Sequence, residues 1–231
     1  MDAVNDLNQT LLELCEQRKP LSSCFTLKEL QGILVSADYE MRLLLAESLA
    51  FEKDEAIAVD FLEQLAADPS DLVRAEAVDT LSVFLTEKSY AICRAALQDS
   101  SVFPRAYAAY SVAVLGRCLH PAQTREILRN AVGTETHELV LAGVWEGLYI
   151  LGDETALEEL FRLFRSTSDY HIQCAVLNAL SELLCLENKN QISSFLDSIQ
   201  AQIFPASVKS ALCQLKEMLK AGHADGTFPL S

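Results

Sequence analysis

The sequence predicts an all-α protein, an α-solenoid of about six helical hairpins. Three observations predict it. Apolar residues recur at helical spacing along nearly the whole chain, and no run alternates as a half-buried strand does. The 231 residues include only eight Gly and six Pro, few for an all-β protein that turns every roughly ten residues. Similar helical segments also recur at a nearly constant interval. Half of the chain is apolar and 22% is charged, which suits a continuous core and excludes a disordered chain.

The elements follow in order. A first helix covers residues 2–18, with Leu7, Leu11, Leu12 and Leu14 set among Asp2, Asp6 and Glu13. With the loop to residue 25, it reads as an N-terminal cap that shields the first repeat. A second helix starts at Thr26, where Thr26-Leu27-Lys28-Glu29 has the form of a capping box. From there helices come in pairs. The first of each pair is more charged, as in residues 54–62, and the second is richer in small and apolar residues, as in residues 72–81.

The second helices align as residues 41–49, 73–81, 104–112, 140–148, 172–180 and 207–215. The closing apolar residue falls at Leu49, Leu81, Val112, Leu148, Leu180 and Leu215, at intervals of 32, 31, 36, 32 and 35 residues. A hairpin of this length cannot bury its apolar stripe alone, so each borrows its neighbour's surface. Extra length is expected in loops, as at residues 133–136. Residues 1–221 are expected to form one repeat domain, with a helix stop near 220–222 and a mobile tail over 222–231.

The segment from Asp68 to Leu81 resembles a HEAT repeat of the short phycobilin-lyase type. The resemblance implies a ladder between neighbouring repeats, made by an Asp before the second helix and an Arg within it. That spacing occurs as Asp68/Arg74 and Asp99/Arg105. The first unit keeps Arg42 but has Ser36 at the Asp position; the fourth and fifth have Leu141 and Gln173 at the Arg position, where the ladder is expected to fade. The Trp/Gly/Tyr/Pro pattern of a tetratricopeptide repeat is absent.

Helical projection puts positions one, five, nine and twelve of the aligned block on one side, in the second unit Val73, Ala77, Leu81 and Phe84. These are core. Position seven lies opposite and holds Glu47, Asp79, Tyr110, Glu146, Asn178 and Cys213, with Glu76, Tyr107, Tyr149 and Glu182 beside it. In HEAT-like solenoids the second helices line the concave surface, so the resemblance implies an acidic groove with tyrosines at its centre. Tyr suits a binding hot spot, and carboxylates among tyrosines suit a basic partner. A solvated face that happens to be acidic is the plainer alternative. Trp145 projects toward the packed flank.

Residues for chemistry are sparse. His120, His137, His171 and His223 belong to no HExxH or Cys/His zinc pattern, so no metal site is expected. There is no phosphate-binding glycine loop, and residues 143–147 have the wrong context for a nucleophile elbow. No catalytic residue and no cofactor is predicted. Seven cysteines without a CxxC pair read as free thiols in a reducing compartment.

The net charge of −15 repels phosphate and anionic lipid, which argues against nucleic acid and membrane as partners. It argues equally against the HEAT-like DNA glycosylases, which need a basic groove. The N-terminal residues lack the basic start and apolar run of a secretory signal, and a cytoplasmic location is expected. The expected function is non-catalytic protein binding by a monomer, as a small acidic inhibitor or adaptor of a basic partner, for example a bacterial immunity protein. The alternative, implied by the resemblance alone, is a lyase-like protein or cofactor chaperone.

Overall fold

A computed structural model describes residues 2–36 and 38–225. Among the described residues the chain forms thirteen α-helices, two 3₁₀ turns and no strand. The helices are α1 (Asp2–Glu16), α2 (Leu27–Leu34), α3 (Tyr39–Ser48), α4 (Glu55–Leu65), α5 (Asp71–Leu81), α6 (Glu87–Ala96) and α7 (Val102–Leu119). They continue as α8 (Pro121–Thr134), α9 (Glu138–Ile150), α10 (Thr155–Ser166), α11 (Tyr170–Glu182), α12 (Lys189–Ser198) and α13 (Ala206–Asp225). The fold class is all-α, of the α-solenoid type. The chain divides into two compact units, Met1–Thr124 and Arg125–Ser231.

In the first unit the second helices α3, α5 and α7 pack side by side, with α4 and α6 against them and α1 against α3. Met41, Leu45, Leu49, Val73, Ala77, Leu81, Ala108 and Val112 are buried, because positions one, five and nine return to the same side of each helix. Thr26 starts α2 as a capping box: its Oγ1 accepts the Glu29 N–H at 3.3 Å, and Glu29 Oε2 accepts the Thr26 N–H at 2.8 Å. Asp38, Asp54 and Thr86 cap α3, α4 and α6 in turn.

One turn recurs before the second helices of both units. The side chain of Ser36, Asp68, Asp99, Glu135 or Thr167 accepts the N–H two residues on, at 3.2, 2.8, 2.8, 2.9 and 3.2 Å. Six residues beyond the first three of these stand Arg42, Arg74 and Arg105, whose Nη1 groups donate back to the carbonyls of Ser36, Asp68 and Asp99. For Arg42 and Arg74 the other side of the fork reaches the next repeat. Arg42 grips Asp68 at 2.6 and 3.0 Å, and Arg74 grips Asp99 at 2.8 and 2.8 Å. The planar guanidinium thus ties its own loop to its neighbour's.

In the second unit α9 packs on α10 and α11, and α11 on α13. Leu141 occupies the Arg position there, and Gln173 keeps only the backward contact, Nε2 to the Thr167 carbonyl at 3.4 Å. Packing takes over from the ion pairs: Phe161 stacks on Phe195 at 4.4 Å, and Phe164 meets Phe195 edge-on at 5.4 Å. Trp145 is partly buried against this core.

Three details differ from the sequence expectation. The longest repeat interval is absorbed by long helices, 18 residues in α7 and 14 in α8, so Gly133 and Thr134 are helical rather than loop. In α13 Leu215 is buried as expected, but Val208 and Leu212 fill the core in place of Ser207 and Ala211, with Leu219 one turn further on. The helix also continues past the expected stop at 220–222 to Asp225. Residues 226–231, the rest of the expected tail, lie outside the described residues.

Candidate functional site

Each second helix offers a stripe opposite its core side, at i, i+4 and i+7. In the first unit these stripes are Glu40, Leu44 and Glu47 on α3, then Leu72, Glu76 and Asp79 on α5, then Phe103, Tyr107 and Tyr110 on α7. Because α5 packs against both α3 and α7, the three stripes lie side by side. Glu47 is exposed, while Glu76, Asp79 and Tyr110 are half-buried. Leu72, Phe103 and Tyr107 stand 42%, 44% and 45% exposed, high values for large apolar side chains on the best-packed helices of the unit.

The electrostatics of this face are one-sided. Burial pushes the Glu76 carboxyl up to about 7, and the neighbouring charges of Asp79 and Glu47 push the same way. Burial also raises the Tyr107 hydroxyl, again with help from Asp79 and Glu76. The Cys15 thiol of α1 is raised chiefly by burial and then by Glu47, to which it hydrogen-bonds. Arg74, two residues from Glu76, turns to the other side of α5 to hold Asp99.

The second unit treats its predicted site residues differently. Asn178 and Glu182 are exposed on α11. Glu146, expected on an open face, is instead buried at 9% exposure. The adjacent Gly143 and Gly147 are buried too, so this side of α9 is closely covered. Tyr149 is half-buried and its hydroxyl accepts a hydrogen bond from Asn188 Nδ2 at 3.0 Å. Asn188 is 1% exposed, donates also to the Leu183 carbonyl at 2.7 Å, and accepts the Cys185 N–H at 2.9 Å. Tyr149 is therefore part of a structural network.

Sequence reasoning missed Leu72 and Phe103. The signal was available, since each stands one turn before a residue already singled out, Glu76 and Tyr107. It missed Cys15 for a different reason: the approach of α1 to α3 is a tertiary contact with no local pattern behind it.

Elsewhere, a depression of about 470 Å³ opens between the first helices α10 and α12, lined by Leu157, Phe161, Phe195, Glu158 and Arg165. The Arg165 guanidinium lies 5.2 Å from the centre of the Phe195 ring. Among the described residues no group of His, Cys, Asp and Glu is arranged to hold a metal ion, and no helix is long and apolar enough to cross a membrane.

Stacked hairpins tied by Arg–Asp pairs define a helical repeat protein. Residues 27–113, from α2 into α7, match the family model of HEAT repeats. Over that stretch the chain is similar to HEAT repeats. A comparison with curated proteins gives no match. Repeats of this family generally mediate protein–protein interaction.

Proposed function

We propose that this protein captures a partner with a basic surface on the second-helix face of its first unit, as a small acidic inhibitor or adaptor without catalysis of its own. The observation that carries this reading is the convergence of Glu47, Glu76 and Asp79 beside Tyr107 and Tyr110 on three adjacent helices, with Glu76 raised to about 7 by burial and by like charge. A basic partner relieves that repulsion, and tyrosines supply contact area at small cost in side-chain entropy. The net charge of −15 adds long-range steering of a cationic protein. An antidote that occludes a basic toxin, as a bacterial immunity protein does, has these requirements.

The test is affinity capture from the source cells with the wild-type chain and with a Glu47→Lys/Asp79→Lys double variant. The reading expects one basic protein bound at stoichiometric yield, with an on-rate that falls as salt rises, and its loss from the double variant. Equal capture by both chains, or an acidic partner, overturns it.

A further inference from the structure

The reading above names a charge sign for the partner; the geometry goes further. We propose that the first unit reads a single arginine: a partner segment lays apolar side chains on Leu72 and Phe103 and places one guanidinium between the Glu76 carboxylate and the Tyr107 ring. The proposal rests on the acidic-face reading and refines it.

Leu72 and Glu76 are one turn apart on α5, as are Phe103 and Tyr107 on α7. One helical turn separates side chains by about 6 Å, and packed helix axes lie about 8–10 Å apart. The four residues therefore frame a patch the size of one or two side chains. One edge is apolar, Leu72 and Phe103 at 42% and 44% exposed; the other is a carboxylate beside an exposed phenol ring. An apolar segment with one cation fits both edges, whereas a purely charged one leaves the apolar edge uncovered.

The charge complementarity is specific to this spot. Among the described residues the titratable groups that face Glu76 are Asp79 on its own helix, Glu47 from α3, Tyr107 from α7 and Cys15 from α1, and none of these is a cation. Guanidinium rather than ammonium is selected because a planar fork pairs with a carboxylate while its face stacks on an aromatic ring. Lysine has neither property and loses a tighter hydration shell on entering a half-buried site. No other second helix carries the combination: the positions equivalent to Glu76 are Leu44 on α3, Tyr107 itself on α7, Gly143 on α9, Ala175 on α11 and Ser210 on α13.

The experiment titrates the full chain with short synthetic peptides that carry one central arginine between leucine and phenylalanine. Matched peptides replace that arginine by lysine or by citrulline, its neutral isostere, and binding is followed by fluorescence anisotropy. Wild type is expected to prefer arginine over citrulline by about tenfold or more. Glu76→Gln should erase that preference, and Tyr107→Leu should erase the preference for arginine over lysine. Thermal unfolding of both variants checks that they fold, and Glu126→Gln at an exposed position on α8 should bind as wild type does. Equal binding of arginine and citrulline peptides, or a preference that survives in Glu76→Gln, overturns the anchor. An oligolysine probe separates the two levels. If wild type and Glu76→Gln bind it equally while ignoring the arginine peptide, the acidic face stands and the anchor falls; if wild type binds neither probe, both fall.

Discussion

Arg42 holds Asp68 through two hydrogen bonds, at 2.6 and 3.0 Å, while the same carboxylate accepts the Ser70 N–H at 2.8 Å. One side chain thus closes a loop and joins two repeats. The pair is the most enclosed ion pair of the ladder, with side chains 10% and 5% exposed against 15% and 15% for Arg74 and Asp99. Removing Asp68 strands a buried guanidinium, so Asp68→Ala is expected to cost about 3–5 kcal/mol. Asp99→Ala, with more water at hand, is expected to cost less. Chemical denaturation of both variants checks the order; equal losses would mean that burial does not set the strength of the rungs.

The second rung gives the protein an acid-sensitive term. The Arg74 guanidinium beside Asp99, with the Ser101 N–H, holds the Asp99 carboxyl below its ordinary value of 3.8. A carboxylate depressed in the folded state stabilises the fold above its unfolded value, and that stabilisation is lost as pH falls through the folded value. Asp99→Asn should therefore be less stable than wild type at neutral pH, with the gap closing below about pH 3.8. Unfolding measured from pH 7 to pH 2 reads the gap; one that stays constant or widens in acid contradicts the assignment.

The ladder also marks how far the sequence could be read. Repeat length, second-helix register and the core positions Val73, Ala77 and Leu81 were legible, because each follows from helical period and recurrence. The direction of the ladder was legible only in type. The expected ladder between neighbouring repeats is present, with the fork of Arg74 on Asp99 one repeat on, but the spacing did not say which neighbour each Arg takes. Helical projection put Glu47 and Tyr107 on the exposed side in unit 1, where small core residues leave the opposite side open. It failed at Glu146 and Tyr149, where close cover over Gly143 and Gly147 and the reach of Asn188 are tertiary facts that no local pattern carries.

Asn188 should prove a keystone of the second unit. It is buried, and its amide meets the Leu183 carbonyl, the Cys185 N–H and the Tyr149 hydroxyl at once. Asn188→Ala leaves two buried backbone groups unpaired and is expected to cost about 2–4 kcal/mol. Tyr149→Phe breaks one bond of the network and should cost about 1 kcal/mol. If Tyr149→Phe weakens binding of a partner without changing stability, the tyrosine belongs to the interface after all.

Glu76 makes the opposite pH prediction to Asp99. Burial and the charges of Asp79 and Glu47 lift its carboxyl from 4.5 to about 7 in the folded chain. A raised carboxylate costs the fold nothing below its unfolded value, where both states are protonated. The cost grows as pH climbs, because the unfolded chain ionises first, and it is complete above about 7. Glu76→Gln removes that cost, so the variant should gain on wild type between about pH 4.5 and 7. Allowing for solvent at this half-buried position, the gain is on the order of 1–2 kcal/mol. The same linkage makes an arginine partner bind more tightly as pH rises through 7, since only the ionised carboxylate pairs with it. Thermal unfolding of both chains across this range is decisive, and a stability difference that does not change with pH removes Glu76 from the account.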